Sequence, residues 1–591
     1  MTERVVHRTS LGRRRWSGRA VLSLVLALGV ALAGCAPAAP APASPAAPVA
    51  RATAPAAPAP TAAVGVPRPT VIVPTPAPAT QPPTPTPVRT ADQPRYGGTL
   101  RRVFRDPIPT LDIHQIGEQA ALRPLAMVYN GLVRFDPEHV NTIQGDLAER
   151  WETSADGSVY TFYLQKGVQW HDGAPFTAED VRYSIERILH PPKGIVSPNK
   201  SGIDMIDSVS VVDATTVRVK LQFPYAPFLT NLASGYILVL PKHILEKKGD
   251  MTQDVVGTGA FKFKKYEPGV LWEVVKNEKY FRKGRPYIDV WYNPIIRDDA
   301  TRFAAVRTHQ VDITNNANGL TPPQAEITRK TLPNITVFQI DMGPFFLFVM
   351  NTKRKPWNDV RVRQAVNLTI DRQAAIKAIE DGYGRVSAFF GGLAGLTEKE
   401  LLTQPGFRQP KDQDIAQAKK LLAEAGYPNG FETSSVFRQP GTVYTRGAEF
   451  LAEQLSKIGI KVKLLPKDST EYIEIYTRTL DFETISFRSA VTNPNPEGAL
   501  TYILARGSRN PSQYEDPEFD RLLLVSRQAK TDEERNKIYR DIDLYLLKTV
   551  PQIPYVYGVY FGGYWNNVKN FHPPLTTTSG EFYGEVVWLA P

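Results

Sequence analysis

The sequence predicts a mixed α/β body of two or three lobes, preceded by a leader and a long spacer. Three observations lead there. Strand hairpins and amphipathic helices intermix from Tyr96 onward with no repeat of fixed period. About 500 residues of ordinary composition exceed what one core usually serves. Finally, Cys35 is the only cysteine in 591 residues, so stability must come from a large core and not from disulfides.

The leader comes first. Arg4, Arg8, Arg13, Arg14, Arg15 and Arg19 form a positive start, and Val21 to Leu32 form an apolar core too short for a comfortable membrane span. Residues 1–34 read as a secretory signal peptide, and its end, Leu32-Ala33-Gly34-Cys35, resembles a bacterial lipoprotein signal. That resemblance implies cleavage before Cys35 and lipidation of its thiol and new amino group, which anchors the chain to a membrane. Arg13-Arg14-Arg15-Trp16 partly resembles a twin-arginine export signal, but Ser17 and Gly18 stand where apolar residues are wanted, so both export routes stay open.

Residues 35–95 are almost all Pro, Ala, Thr and Val. Such a segment buries too little side-chain area to fold, and its prolines favour extended geometry. It reads as a disordered, semi-rigid linker. The net charge of +11 falls to +6 once the six arginines and one glutamate before Cys35 are removed. No run of five like charges follows, so a nucleic-acid partner is not indicated. Nor does any later stretch reach 18 apolar residues, and nothing after the leader is expected to cross a membrane.

Within the body, Val209-Ser210-Val211 and Val217-Arg218-Val219 alternate about Asp213-Ala214, and Phe261-Lys262-Phe263 faces Trp272-Glu273-Val274 across Pro268-Gly269; both read as hairpins. Asp156-Gly157 is a further turn, before alternating Tyr160, Phe162 and Leu164. Ile415, Ala418, Leu421, Leu422 and Ala425 share one helical face that stops at Gly426. Thr531 and Glu534 form a capping box ahead of Ile538, Ile542 and Tyr545, with Pro551 ending that helix.

No strong catalytic pattern is present: neither G-x-S-x-G, H-E-x-x-H nor a phosphate-binding G-x-x-x-x-G-K-[ST] loop occurs. The eight histidines lack metal-ligand spacing, so no metal and no cofactor is expected. Gly257-Thr258-Gly259 precedes a strand and not a helix, which removes the dipole a phosphate loop needs; it reads as a turn with close backbone approach. Glu179-Asp180 and Asp298-Asp299 sit at helix starts, where capping accounts for them.

The runs Gly145-Asp146-Leu147-Ala148-Glu149-Arg150-Trp151-Glu152, Asp156-Gly157-Ser158-Val159-Tyr160-Thr161-Phe162 and Gly167 to Val181, containing Trp170-His171-Asp172-Gly173, resemble family 5 extracytoplasmic solute-binding proteins. These are the oligopeptide- and dipeptide-type receptors of ABC importers. The likeness continues through Val256 to Phe261, Asn277 to Phe281, Asn351-Thr352 and Asp359 to Val366 with Asp371-Arg372. The arginines of that last stretch read as serving surface or interlobe ion pairs. The resemblance covers nearly all of residues 96–591. It implies a periplasmic-binding-protein-like type II clamp of the large three-domain variety, with two lobes joined by a two-strand hinge. The first lobe is expected at about 96–130, 206–314 and 553–591, with a small domain inserted at about 131–205, and the second at about 315–552. Hinge strands are expected near 311–316 and 551–557. The implied function is a membrane-anchored receptor, a monomer and not an enzyme, on the outer face of the cytoplasmic membrane or in the periplasm. It closes on a small solute and delivers it to ABC permease subunits; sensing without import uses the same clamp.

Peptide-binding members carry a segment resembling G-W-x-A-D-Y, whose aspartate anchors the peptide ammonium. Gapless placement puts Ala490 there, and a shift of one residue puts Val491 there. Neither holds a cation, and a buried ammonium without counter-charge costs several kcal/mol. Arg488, Asn493 and Asn495 offer donors and amides instead, which suits an oligosaccharide or an opine-like acid as the alternative to a peptide. On the first lobe, Asp112, His114 and Gln115 occupy the segment that lines the cleft in the family. Tyr129, Phe345, Phe346 and Phe348 are candidate stacking surfaces, set against the commoner role of such aromatics as core.

Overall fold

The structure, a computed structural model, describes residues 93–591 apart from 118, 141, 315–318, 342–343, 391–393, 440, 491–494, 505–509 and 574–583. Cys35, the leader, the linker as far as residue 92, and Asn493 lie outside the described residues.

Two large apolar cores organise the body. The first is built on two sheets. One is antiparallel in the order Ala148–Thr153, Val159–Leu164, Thr216–Leu221, Ile206–Asp213. Its hairpins follow the alternation of the sequence: Val209 pairs with Val219 and Val211 with Val217, and Gly157 takes a φ of +74° at the turn before Val159–Leu164. This sheet runs on to Leu221, past residue 205, where the sequence places the end of the inserted domain. The reason is physical: Val217, Val219 and Leu221 bury into the same core as Tyr160, Phe162 and Leu164, so the second hairpin completes the sheet that the first begins. Helix Ala178–Leu189 covers it, its start fixed by the Thr177 N–H donating to Asp180 at 2.9 Å.

The other sheet has the order Thr99–Arg101, Val290–Pro294, Leu271–Lys276, Phe261–Glu267, with Phe263 opposite Val274 as the hairpin pattern predicts. Just before it, Gly257 and Gly259 press against the backbone of Val128. The Gly259 N–H donates to Val128 O at 2.8 Å, and a Cβ at Gly257 would lie 1.9 Å from that same oxygen. Only glycine permits this approach.

The second core surrounds a six-stranded sheet in the order Gly384–Arg385, Gln552–Gly558, Pro344–Met350, Thr484–Ala490, Glu432–Arg438, Lys461–Lys467. All seven residues of both Pro344–Met350 and Gln552–Gly558 are buried, as expected of strands covered on both faces. The flanking helices stop and start where their caps dictate. Asp412–Glu424 ends ahead of Gly426, whose φ is +93°, and Thr531 accepts from the Glu534 N–H at 3.1 Å to open Asp532–Thr549.

The arginines of residues 359–372 divide. Arg361 pairs with Asp359 at 2.6 Å as expected. Arg363 and Arg372 are instead buried, and among the described residues neither lies in an ion pair. Arg363 donates to the carbonyls of Trp357, Thr549 and Val550, and Arg372 to those of Gly406 and Pro554, with its guanidinium 3.8 Å from the Phe407 ring centroid. Their five-donor forks saturate carbonyls that helix and strand ends leave open.

Between the cores lies an antiparallel ribbon, Ile335–Ile340 against Tyr560–Trp565. Ile335, Val337 and Trp565 pack with Val103, Val306 and Val311, and Leu320 and Ala325 pack with Phe561. The chain therefore reaches the second core only at Pro344–Met350 and leaves it between Gly558 and Tyr560. The first crossing falls later than the expected 311–316, because helix Pro322–Thr331 and the Ile335–Ile340 strand still belong to the ribbon.

Candidate functional site

Residues from the two cores meet along two seams. In one, the Tyr225 hydroxyl donates to Glu497 at 3.0 Å and accepts from the Asn495 amide at 2.8 Å, while that amide also reaches Asn231 at 3.2 Å. Behind them Arg527 binds Glu497 at 2.5 Å and Asp204 at 3.3 Å. In the other, Arg438 of the second sheet stands 3.6 Å from Asp106, which follows the first strand of the first core.

Near the second seam lies Arg488. Register fixes its place: in Thr484–Ala490 it is directly opposite Phe346 of the neighbouring strand. Gly447 lets helix Thr442–Ser456 come down on that pair, since a Cβ there would stand 3.2 Å from the Phe346 ring and 3.3 Å from the Tyr555 hydroxyl. Tyr444 is thereby set over the same spot, and Tyr560 closes it from the ribbon. The Arg488 guanidinium carbon sits 5.5 Å from the Phe346 centroid and 5.6 Å from those of Tyr444 and Tyr560. Burial works against its charge, yet Tyr560, Tyr444 and Glu380 hold it above even the ordinary arginine value.

Positive potential dominates here. Burial pushes the Tyr444 phenol up, but Arg438, Arg488 and Arg105 together bring it below its ordinary value, with Asp106 opposing. Glu380, 5 % exposed, is packed against Gly558 where the chain leaves the second core. Burial raises its carboxyl to about 7, Asp381 adding to the rise and Arg488 and Arg446 opposing it. The arrangement is a half-buried, ring-lined cation beside a carboxyl that is about half-ionised at neutral pH, which can hold an anion.

The other residues singled out from sequence are placed as follows. Asp112 accepts from Arg187 at 2.6 Å, from Gln115 at 3.1 Å and from the Met251 N–H at 3.3 Å, all within the first core. Burial raises its carboxyl, and Arg187 more than offsets this, leaving it below the usual range. His114 donates to the Leu238 carbonyl at 2.8 Å, and burial together with Arg187 brings it down to about 4. Asp112, His114 and Gln115 are thus engaged with one another and with their own core. Tyr129, Phe345, Phe346 and Phe348 are at most 1 % exposed; of these Phe346 alone touches the Arg488 station. Asn495 has its amide taken up by the first seam. Among the described residues no cluster of three or more His, Cys, Asp or Glu could hold a metal.

Sequence reasoning missed Tyr444, Tyr560, Glu380, Arg438 and Tyr225. Nothing local marks them, because each acquires its role only through the crossing of strands and helices remote in sequence. The spacing of Gly447 from Tyr444, one helical turn, was the one faint signal.

The family model described as bacterial extracellular solute-binding proteins, family 5 Middle, matches residues 142–511. Heme-binding protein A of Haemophilus influenzae is 30% identical over 481 residues, covering 75% of this chain and 84% of that protein. The ABC transporter-associated periplasmic binding protein DppA from Helicobacter pylori, solved with the peptide STSA, is 26% identical with a TM-score of 0.73, over 84% of this chain and 99% of that one. The PBP AgaA of A. tumefaciens R10, solved with agropinic acid, is 27% identical with a TM-score of 0.73, over 83% and 99%. With the type II periplasmic-binding-protein fold matched across the body, the chain belongs to the bacterial extracellular solute-binding proteins, family 5, the extracytoplasmic receptors that serve ABC importers.

Proposed function

We propose that the chain is a lipid-anchored monomeric receptor, without catalytic activity of its own, that closes two lobes over one small solute and presents the closed form to its ABC permease. The first lobe comprises residues up to about 340 and from about 560 onward, and the second about 344–558. The observation that carries this reading is the pair of seams, in which Tyr225, Asn231, Asp204 and Asp106 of one core meet Glu497, Asn495, Arg527 and Arg438 of the other. Such contacts join the two cores, and a solute touching both lobes would shift the population toward the form that makes them. Cys35 supplies the membrane attachment, and the 35–95 linker gives the body its reach.

The solute is small and need not be a peptide. One relative is named for heme, and neighbours are solved with the peptide STSA and with agropinic acid; by the family resemblance, Ala490 or Val491 falls where peptide binders carry an ammonium-binding aspartate. Solution scattering of the intact protein tests the reading: the radius of gyration shrinks when the solute recovered from the native protein is added back. A tight solute that produces no compaction overturns it.

A further inference from the structure

Several buried guanidiniums of this protein are closed by carboxylates or carbonyl oxygens, and the half-buried Arg488 differs from them in what surrounds it. Arg187 is closed by Asp112, Arg527 by Glu497 and Asp204, and Arg363 and Arg372 by carbonyl oxygens. Arg488 meets rings on three sides, its Nε has no hydrogen-bond partner among the described residues, and its polar neighbour is the Tyr444 hydroxyl. The Tyr560 and Tyr444 phenols and the Glu380 carboxyl favour its charge, yet no carboxylate or carbonyl among the described residues closes its fork, which leaves donors for an anion from outside.

We propose that Arg488 is the specificity-determining anchor for a carboxylate of the solute, which makes the ligand an organic acid. This rests on the receptor reading above and names the chemistry of its solute. The planar fork of arginine matches a carboxylate with two parallel hydrogen bonds, and the surrounding rings exclude the water that weakens such a pair. Arg438 and Arg105 add attraction from the same side of the junction. Glu380, the acidic neighbour, is mostly uncharged below neutral pH, so it does not compete with a bound anion there. The Arg488 station stands near the ribbon that crosses between the lobes, through Tyr560, so an anion held on it touches the moving junction.

The test has two parts. Protein isolated from its own membranes is denatured and the released solute identified by mass spectrometry. The intact chain is then titrated calorimetrically with that compound, with agropinic acid and glutarate, with the amides of all three, and with maltotriose and putrescine. A released solute bearing a carboxylate is expected. Amidation and Arg488→Gln should each weaken the acid by ~30-fold or more, and Arg488→Lys, which keeps charge but not the fork, should weaken it less than Arg488→Gln. The amide comparison on wild type stands even if Arg488→Gln fails to fold. A released solute without a carboxylate, an amide as tight as its acid, or a folded Arg488→Gln with unchanged affinity overturns the assignment. No released solute and no binding of any compound overturns the receptor reading itself.

Discussion

Tyr225 and Glu497, 272 positions apart, share a 3.0 Å hydrogen bond in which the phenol donates to a carboxylate that is 2 % exposed. Burial raises the Glu497 carboxyl, and Arg527 opposes this. A buried carboxylate keeps its charge only while its donors are present, so the lobes lose part of that support when they part. Tyr225→Phe should cost the closed form about 1–2 kcal/mol, which lowers apparent solute affinity by about 5- to 30-fold. Calorimetry and solution scattering check it: affinity falls and the ligand-free protein expands. Unchanged affinity would mean that the seam does not gate closure.

Glu380 predicts a pH dependence. Its carboxyl titrates near 7, facing Arg488, Arg446 and Asp381, with the buried phenols of Tyr555 and Tyr560 also close enough to feel it. Ionisation places a negative charge beside Arg488, so affinity for a carboxylate solute should rise as pH falls from 8 to 6, and Glu380→Gln should flatten that slope. Stability carries the same sign. A folded-state value raised from 4.5 to about 7 means that the native protein keeps a proton the unfolded chain releases. The associated stability is whole below about 4.5 and is lost as pH rises through 7, at most about 3 kcal/mol. Asp543, also raised to about 7 by burial, loses stability over a similar window. Thermal melts of wild type and Glu380→Gln between pH 5 and 8 measure the Glu380 share; parallel curves would dismiss it.

Much of the fold was legible because its signals are local. The Val209/Val219 pairing, the Thr531 cap and the stop at Gly426 are set by neighbours within a few residues. The lobe boundaries were less so. Thr216–Leu221 joins Val159–Leu164 across more than 50 residues of intervening helix and loop, and alternation gives no partner's address. The site was the least legible. Arg488 could be singled out by its place in a motif, but Tyr444, Tyr560 and Glu380 belong to other elements and converge only in three dimensions. Asp112 and His114 show the converse: a polar cluster in a segment expected to line the cleft, whose partner, Arg187, lies 75 residues away from the aspartate and closes it inside the core.

The proposed membrane attachment rests on Cys35. No helix among the described residues is long and apolar enough to cross a membrane. Cys35→Ser should release the protein into the aqueous fraction with solute affinity unchanged, because the thiol precedes the folded body by about 60 residues of spacer. Phase partitioning in detergent is the measurement. Continued extraction of the mutant only with detergent would mean that another segment holds it.

The sharpest prediction concerns position 490. Ala490 ends the strand that carries Arg488, two residues on. An aspartate there would add a negative charge two residues from Arg488 and compete with a solute carboxylate for that guanidinium. Ala490→Asp should therefore weaken an acidic solute by roughly 10- to 100-fold, while giving a free ammonium the counter-charge that the wild type lacks at this position. Unmodified di- to pentapeptides should bind the wild type weakly and the mutant better. Calorimetry with one acid and a short peptide series on both proteins decides the matter. Submicromolar binding of an ordinary free-amino peptide to the wild type would overturn this account, because an ammonium would then have found a carboxylate other than the one position 490 lacks.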